Sequence, residues 1–285
     1  MSNLRVIRQR IRSVQSTQKI TKAMQMVAGA KLRRMQDQLT GFKPYAYRLE
    51  EITRRFLSAY PGLEHPLLGR AGSAEGKPAG LVLIASDTGL CGTYNERILS
   101  AAERFFMEFP SAKLVTIGKK GSRRFAKRGI HQFREILDWG GKFDFEKMLE
   151  FMRWLQEVYL RGEVSAWYVA YTRFISAMQW KPAIERVLPL EPAVSQNQEP
   201  EKLITEPQPE FLADEILRRN MEAALTRILL EAFTSEHSAR MIAMKNATEN
   251  ATEMIDTLTL VRNKVRQAAI TKELIEVVSG AQALR

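Results

Sequence analysis

The chain has one cysteine, three histidines and, between Glu210 and Ser279, neither proline nor glycine. Each scarcity excludes something. A single cysteine, Cys91, permits no internal disulfide and fits a reducing compartment. His65, His131 and His237 are scattered, and none shows the spacing of a metal site. No run approaches the roughly eighteen apolar residues that a membrane span requires. The opening MSNLRVIRQRIRS is basic, but no apolar signal region or cleavage site follows. This points to a cytosolic protein, or one attached to a membrane complex from the cytosolic side. The seventy residues 210–279 carry no helix breaker. At about 1.5 Å each they would make a rod on the order of 100 Å long, which needs a partner along one face.

What is present is ordinary in bulk and uneven in placement. A length of 285 residues, 45% hydrophobic and 26% charged, suits one large globular domain or two small ones. The net charge of +11 is concentrated at one end: residues 1–60 hold 13 Lys/Arg against 3 Asp/Glu. A basic helix suits nucleic acid, an anionic membrane surface or acidic protein. The stretch from Asn3 to Ser58 reads as one long helix, with a kink admitted at GFKP, because Pro44 is its first proline. Its seam steps by threes and fours through Leu4, Ile7, Ile11 and Val14, and resumes at Ala28, Leu32, Met35, Leu39 and Phe42. Between the two halves stand Gln18, Thr21 and Gln25, polar residues at three successive core positions.

The middle of the chain changes period. GLVLIASD and KLVTIG read as buried parallel strands, VSAWYVAYTRFIS and AIERVLPL as a closing antiparallel pair. Helical spacing marks ERILSAAERFFMEF, KGSRRFAKRG and FEKMLEFMRWLQEVYLRG. Pro- and Gly-rich or Pro- and Glu-rich stretches flank this region and read as linkers. The expected fold is α+β: an antiparallel coiled coil of the two terminal helices plus an inserted Rossmann-like α/β domain of about five strands. The expected boundaries are 1–58 for the first helix, 59–79 linker, 80–191 α/β domain, 192–209 linker and 210–285 for the last helix.

Little in the sequence suggests chemistry. LIASDTGLCGTYNERI places glycines between strand and helix but lacks both the lysine-serine/threonine ending of a P-loop and G-x-G-x-x-G. Cys91 has neither a neighbouring histidine nor a second cysteine. Ser235 and His237, two apart on a helix, face different directions. Asp144 with Glu146, and Glu249 with Glu253, are ordinary surface spacings. No catalytic site, cofactor, metal or small-molecule substrate is expected. RNKVRQAAITKEL repeats the polar interruption: Val261 and Val265 lead to Ala268, Ala269 and Thr271 at core-like positions. Arg262, Lys264, Arg266 and Gln267 are expected to project outward as hydrogen-bond donors.

These segments carry a resemblance. IRSVQSTQKITKAMQMVAGAKLRRMQ, EHSARMIAMKNATENATEMI and RNKVRQAAITKELIEVVSGAQAL resemble the terminal signatures of the gamma-subunit family of F-type ATP synthases. SDTGLCGTYN resembles that family's turn, with Thr88 where arginine is usual and Thr93-Tyr94 in place of a commoner glycine-containing pair. The resemblance implies a rotating shaft inside a hexamer of alpha and beta subunits, joined to an epsilon-type subunit and a membrane c-ring. It places the chain peripherally on the cytoplasmic face of the plasma membrane. The cysteine-bearing insertion of chloroplast relatives is lacking, so a chloroplast location and dithiol regulation are not expected. It also implies that Arg266, Gln267, Thr271 and Glu273 with Arg240 form a ring of contacts to catch loops of the beta subunits. Met24 would face those subunits near their acidic lever, and Asp87, Leu90 and Cys91 would mark a contact turn near it. On this reading thin core residues keep the shaft slender, and polar outer contacts can be made and broken. The alternative from the residues alone is a basic coiled-coil protein that binds nucleic acid.

Overall fold

A computed structural model describes residues 2–69, 76–137, 139–190 and 203–283. Residues 70–75 of the first expected linker and 192–202 of the second lie outside the described residues. The chain divides into two compact units, residues 29–239 and residues 1–28 with 240–285. Two helices run through both: α1 (Ser2–Ala59) and α5 (Pro209–Ala283). α1 continues through Pro44, which is exposed. The carbonyl that loses its helical donor there, that of Thr40, can turn to water instead.

Unit 29–239 holds five strands: β1 (Gly80–Ile84), β2 (Lys113–Ile117), β3 (Gln132–Ile136), β4 (Trp167–Ser176) and β5 (Gln179–Leu188). The sheet order is β3-β2-β1-β4-β5. The first four are parallel, and β5 returns antiparallel to β4. The helices α2 (Tyr94–Glu108), α3 (Lys119–Lys127) and α4 (Phe145–Leu160) fall where the 3.6-residue period predicts them. β3, with sequence QFREI, is not among the four expected strand segments. It is a half-buried edge whose polar residues interrupt any apolar run.

β1 is buried on both faces because helices cover both. Leu81 and Leu83 pack with Ile98, Ala102 and Phe105 of α2 and Phe125 of α3. Val82 and Ile84 join the larger core with Phe151 and Leu155 of α4 and Leu225 and Phe233 of α5. Met35, Phe56 and Leu57 of α1 belong to that same core. Leu67 and Leu68, within the first expected linker, are also buried there, and Leu68 forms a bridge with Leu190. Residues 231–239 of α5 are buried on every side. Three of their polar side chains pair with backbone carbonyls of other segments: Ser235 Oγ donates to Thr172 O at 3.0 Å, His237 Nε2 to Gly141 O at 2.8 Å, and Ser238 Oγ to Ala177 O. The serine and histidine of TSEHSA therefore point to different partners.

In the other unit, α1 and α5 run antiparallel. Gln18 meets Thr252 and Thr21 meets Thr248, so one number rises as the other falls. The seam read from the sequence is the seam that packs. Ile11 and Ala28 are buried, and Leu4, Ile7, Val14, Gln18, Thr21 and Gln25 are half-buried. On α5 the inner positions are Ala251, Ile255, Leu258, Val265 and Ala269. Three expected core positions are corrected: Val261, Ala268 and Thr271 are exposed, because the three-four step passes from 258 through 262 to 265 and 269. Arg262 sits on that step, half-buried, and donates to Asn263 at 3.3 Å rather than projecting outward.

Candidate functional site

Three features stand out, and none resembles a reaction centre. The first is the polar part of the seam. Gln18 Nε2 donates to Thr252 Oγ1 at 2.7 Å, and Thr248 Oγ1 donates to Thr21 Oγ1 at 2.9 Å. Thr248 and Thr252 also approach the carbonyls one turn back, Met244 O and Thr248 O. Short side chains replace a greasy layer with directional bonds. Such pairs fix the register of two helices at some cost in stability.

The second is a groove of about 970 Å³ between the helix ends, walled by Arg5, Arg8, Arg12 and Arg266 and floored by apolar residues such as Val265 and Ile270. Arg266 and Glu273 both line it, seven positions apart on one helix face. Gln267 and Thr271 are exposed on a different face. The expected ring is therefore split between two faces. Arg240 is half-buried and stands 26 positions before Arg266, about 39 Å of helix rise, so it does not join them. Met24 is half-buried beside the seam, while Ile20, Met26 and Val27 around it are exposed. The groove arginines of α1 were absent from the expected sites. Their signal was the spacing 5, 8, 12, which puts three guanidinium groups on one face.

The third is the turn after β1. Ser86 is buried, its N–H donates to Asn95 Oδ1 at 3.1 Å and its Oγ to Thr88 O at 2.7 Å. Asn95 Nδ2 donates to Cys91 Sγ at 3.1 Å, and the Cys91 thiol is buried inside the turn. Leu90 takes a left-handed φ of 63°, which few non-glycine residues adopt, and is 60% exposed. Parallel sheets hold phosphates outside the carboxyl ends of their strands, at helix N-termini. Here the carboxylate of Asp87 accepts the Lys119 N–H, first in α3, at 3.1 Å and the Gly140 N–H at 2.8 Å. The chain's own anion fills that place. Gly118, just before α3, has φ 100° and leaves no room for a side chain, since a Cβ would lie 2.1 Å from Ala85 O.

Beside these three, a half-buried charge cluster joins β4, β5 and α5. Arg227 donates to Glu185 Oε2 at 2.7 Å and to the Tyr171 hydroxyl at 3.2 Å, and Arg173 also donates to Glu185. Burial alone would raise the Glu185 pKa, but these partners outweigh it and hold the carboxyl below its ordinary range. Glu231 is only 4% exposed, and its Oε2 has no hydrogen-bond partner among the described residues. Burial pushes its carboxyl above the ordinary range, against the pull of Arg227 and Lys43. Among the described residues no three His, Cys, Asp or Glu side chains could hold a metal, and no helix is long and apolar enough to cross a membrane.

Fold and surfaces together define a class: a protein of two long antiparallel terminal helices with a layered α/β insert. Residues 3–284 match the family model described as ATP synthase. The chain is 44% identical over 286 residues to the ATP synthase gamma chain of Moorella thermoacetica, covering 100% of both. It is 41% identical to that of Symbiobacterium thermophilum, covering 99% of both. The chain belongs to the ATP synthase gamma chain family. Its fold is similar to that of a chain in the rotor of Euglena gracilis mitochondrial ATP synthase, with a TM-score of 0.67 at 19% identity, covering 94% of this chain and 99% of that one. The nucleic-acid-binding alternative is set aside: a match along the full length accounts for the α/β insert and the near-neutral last helix, which a basic nucleic-acid binder does not.

Proposed function

We propose that this chain is the rotating central shaft of an ATP synthase, coupling ion flow through a membrane c-ring to ATP synthesis or hydrolysis at the beta subunits. Its partners are the alpha and beta subunits, an epsilon-type subunit and that ring. The observation that carries the reading is the end of α5. Residues 271–279 are exposed on every side, with Leu274, Ile275, Val277 and Val278 each more than half bare. A helix end so apolar and unsupported is stable when something else surrounds it. A surrounding hexamer supplies that, and the polar seam and arginine groove supply contacts that can be made and broken.

On this reading the chain has no catalytic site, and hydrolysis takes place on its partners. It sits peripherally at the cytoplasmic face of the membrane. Arg266 and Glu273 meet a beta subunit from the groove, and Gln267 and Thr271 meet one from the adjoining face. Arg240 and Met24 make separate contacts further along the coil, and Leu90 presents the turn to the acidic lever while Asp87 and Cys91 hold its shape. The five-part division into helix, linker, α/β domain, linker and helix follows the same reading. The test is co-purification with alpha and beta subunits, followed by coupled turnover of the double variant Arg266→Leu, Gln267→Leu. Lowered turnover or assembly with helix content intact is expected. Wild-type turnover would remove both residues from the interface.

A further inference from the structure

We infer that Asp87 and His237 are positioning residues that clamp the Leu90 turn to α5, so that load on the turn reaches the shaft helix instead of deforming the sheet. The inference rests on the proposed shaft role and adds the route by which force leaves the contact turn.

The turn is stiff in itself. Ser86, Thr88, Cys91 and Asn95 are bonded to one another, and Leu90 projects from a backbone conformation that the surroundings must hold in place. Stiffness alone would let the turn move as a body. Two links prevent that. Asp87 accepts the Gly140 N–H, and the next residue, Gly141, offers its carbonyl to His237 Nε2, which must carry the proton because a carbonyl only accepts. Gly141 has φ 65° and sits so close to the imidazole that a Cβ would lie 3.1 Å from it. The second link is the Tyr94 hydroxyl, which donates to Ala232 O at 3.2 Å.

Tyr94 and His237 are each 1% exposed, so water does not compete for either bond. Ala232 and His237 are five positions apart, so the clamp grips α5 at two points separated by about 7.5 Å along its axis. A single grip would act as a pivot. Two resist rotation of the turn about the helix.

Hydrogen exchange in the full chain, and pumping by the assembled complex, test this together. The variants are Asp87→Asn, His237→Leu of similar volume, and His237→Gln, which restores a donor near Nε2. Asp87→Asn and His237→Leu are each expected to speed exchange of the Gly140 amide about fivefold or more, with His237→Gln close to wild type. In the complex the first two should lower ions pumped per ATP while hydrolysis continues, and their combination should cost less than the sum of the two. Unchanged Gly140 exchange in His237→Leu would break the proposed chain of bonds, whatever the protein's role. Faster exchange with unchanged pumping per ATP would overturn the load-bearing role. Should His237→Leu not fold, Asp87→Asn with its intact turn residues decides the same question. Failure of the wild-type chain to assemble with alpha and beta subunits would instead overturn the shaft reading itself.

Discussion

Residues 231–239 and 271–279 belong to one helix, yet the first nine are buried on every side and the second nine are exposed on every side. The buried stretch AFTSEHSA, which follows Glu231, is the more polar of the two, and the bare stretch TKELIEVVS carries the aliphatic residues. Ordinary sorting of apolar residues inward is thus inverted between the two ends. The difference teaches where each segment finds its partners. The first finds them within the chain, as carbonyls of β4, the hairpin and the 139–141 loop. Among the described residues the second lies bare, and on the proposed shaft reading its aliphatic surface is covered by another protein.

The largest effect expected from that contrast is in the buried stretch. Phe233 is 2% exposed and stacks edge-on against Trp139. Phe233→Ala should cost about 3–5 kcal/mol in chemical denaturation of the isolated chain. Leu274→Ala, at a residue 60% exposed, should change the same measurement by less than about 0.5 kcal/mol. If Leu274→Ala proved as costly as Phe233→Ala, the bare end would have an internal partner and the contrast would collapse.

A smaller effect concerns Glu231, at the head of the buried stretch. Burial raises its carboxyl pKa above the value in the unfolded chain. Its contribution to stability is therefore full below the unfolded pKa and is lost as pH rises through the folded one. Glu231→Gln cannot ionise, so its stability advantage over wild type should grow with pH across that window. Denaturation midpoints at a series of pH values read this directly, and parallel curves for the two proteins would show that Glu231 is not held protonated.

The smallest effect lies in the polar seam of the other unit. Thr248→Ala removes the donor to Thr21 and should cost about 0.5–1.5 kcal/mol in the isolated chain. Replacing both threonines by valine removes donor and acceptor together and should come closer to neutral. A double variant as destabilised as the sum of its parts would mean that these hydroxyls serve something other than each other.

Much of this arrangement was legible in the residues. The three-four step of α1 names the buried and half-buried positions individually, including the three polar ones, because helix periodicity is a local property. The same step misplaced Ala268 and Thr271, since small side chains mark neither face and only the partner helix decides. β3 was hidden because an edge strand needs no apolar run. The buried polar stretch of α5 was not visible either: serine, glutamate and histidine read as surface until the carbonyls that accept them are known. Asp87 was marked by resemblance as a contact, and its geometry shows the inward role of holding two backbone amides.

The central claim is rotation, and the sequence offers a clean way to watch it. Cys91 is the only cysteine and is buried, whereas Met178, in the hairpin between β4 and β5, is 84% exposed. Met178→Cys therefore creates one accessible thiol for a probe. With the labelled chain assembled in an immobilised hexamer of alpha and beta subunits, ATP should drive the probe in one direction through repeated full turns. A probe that stays fixed while the same complexes hydrolyse ATP would contradict the account.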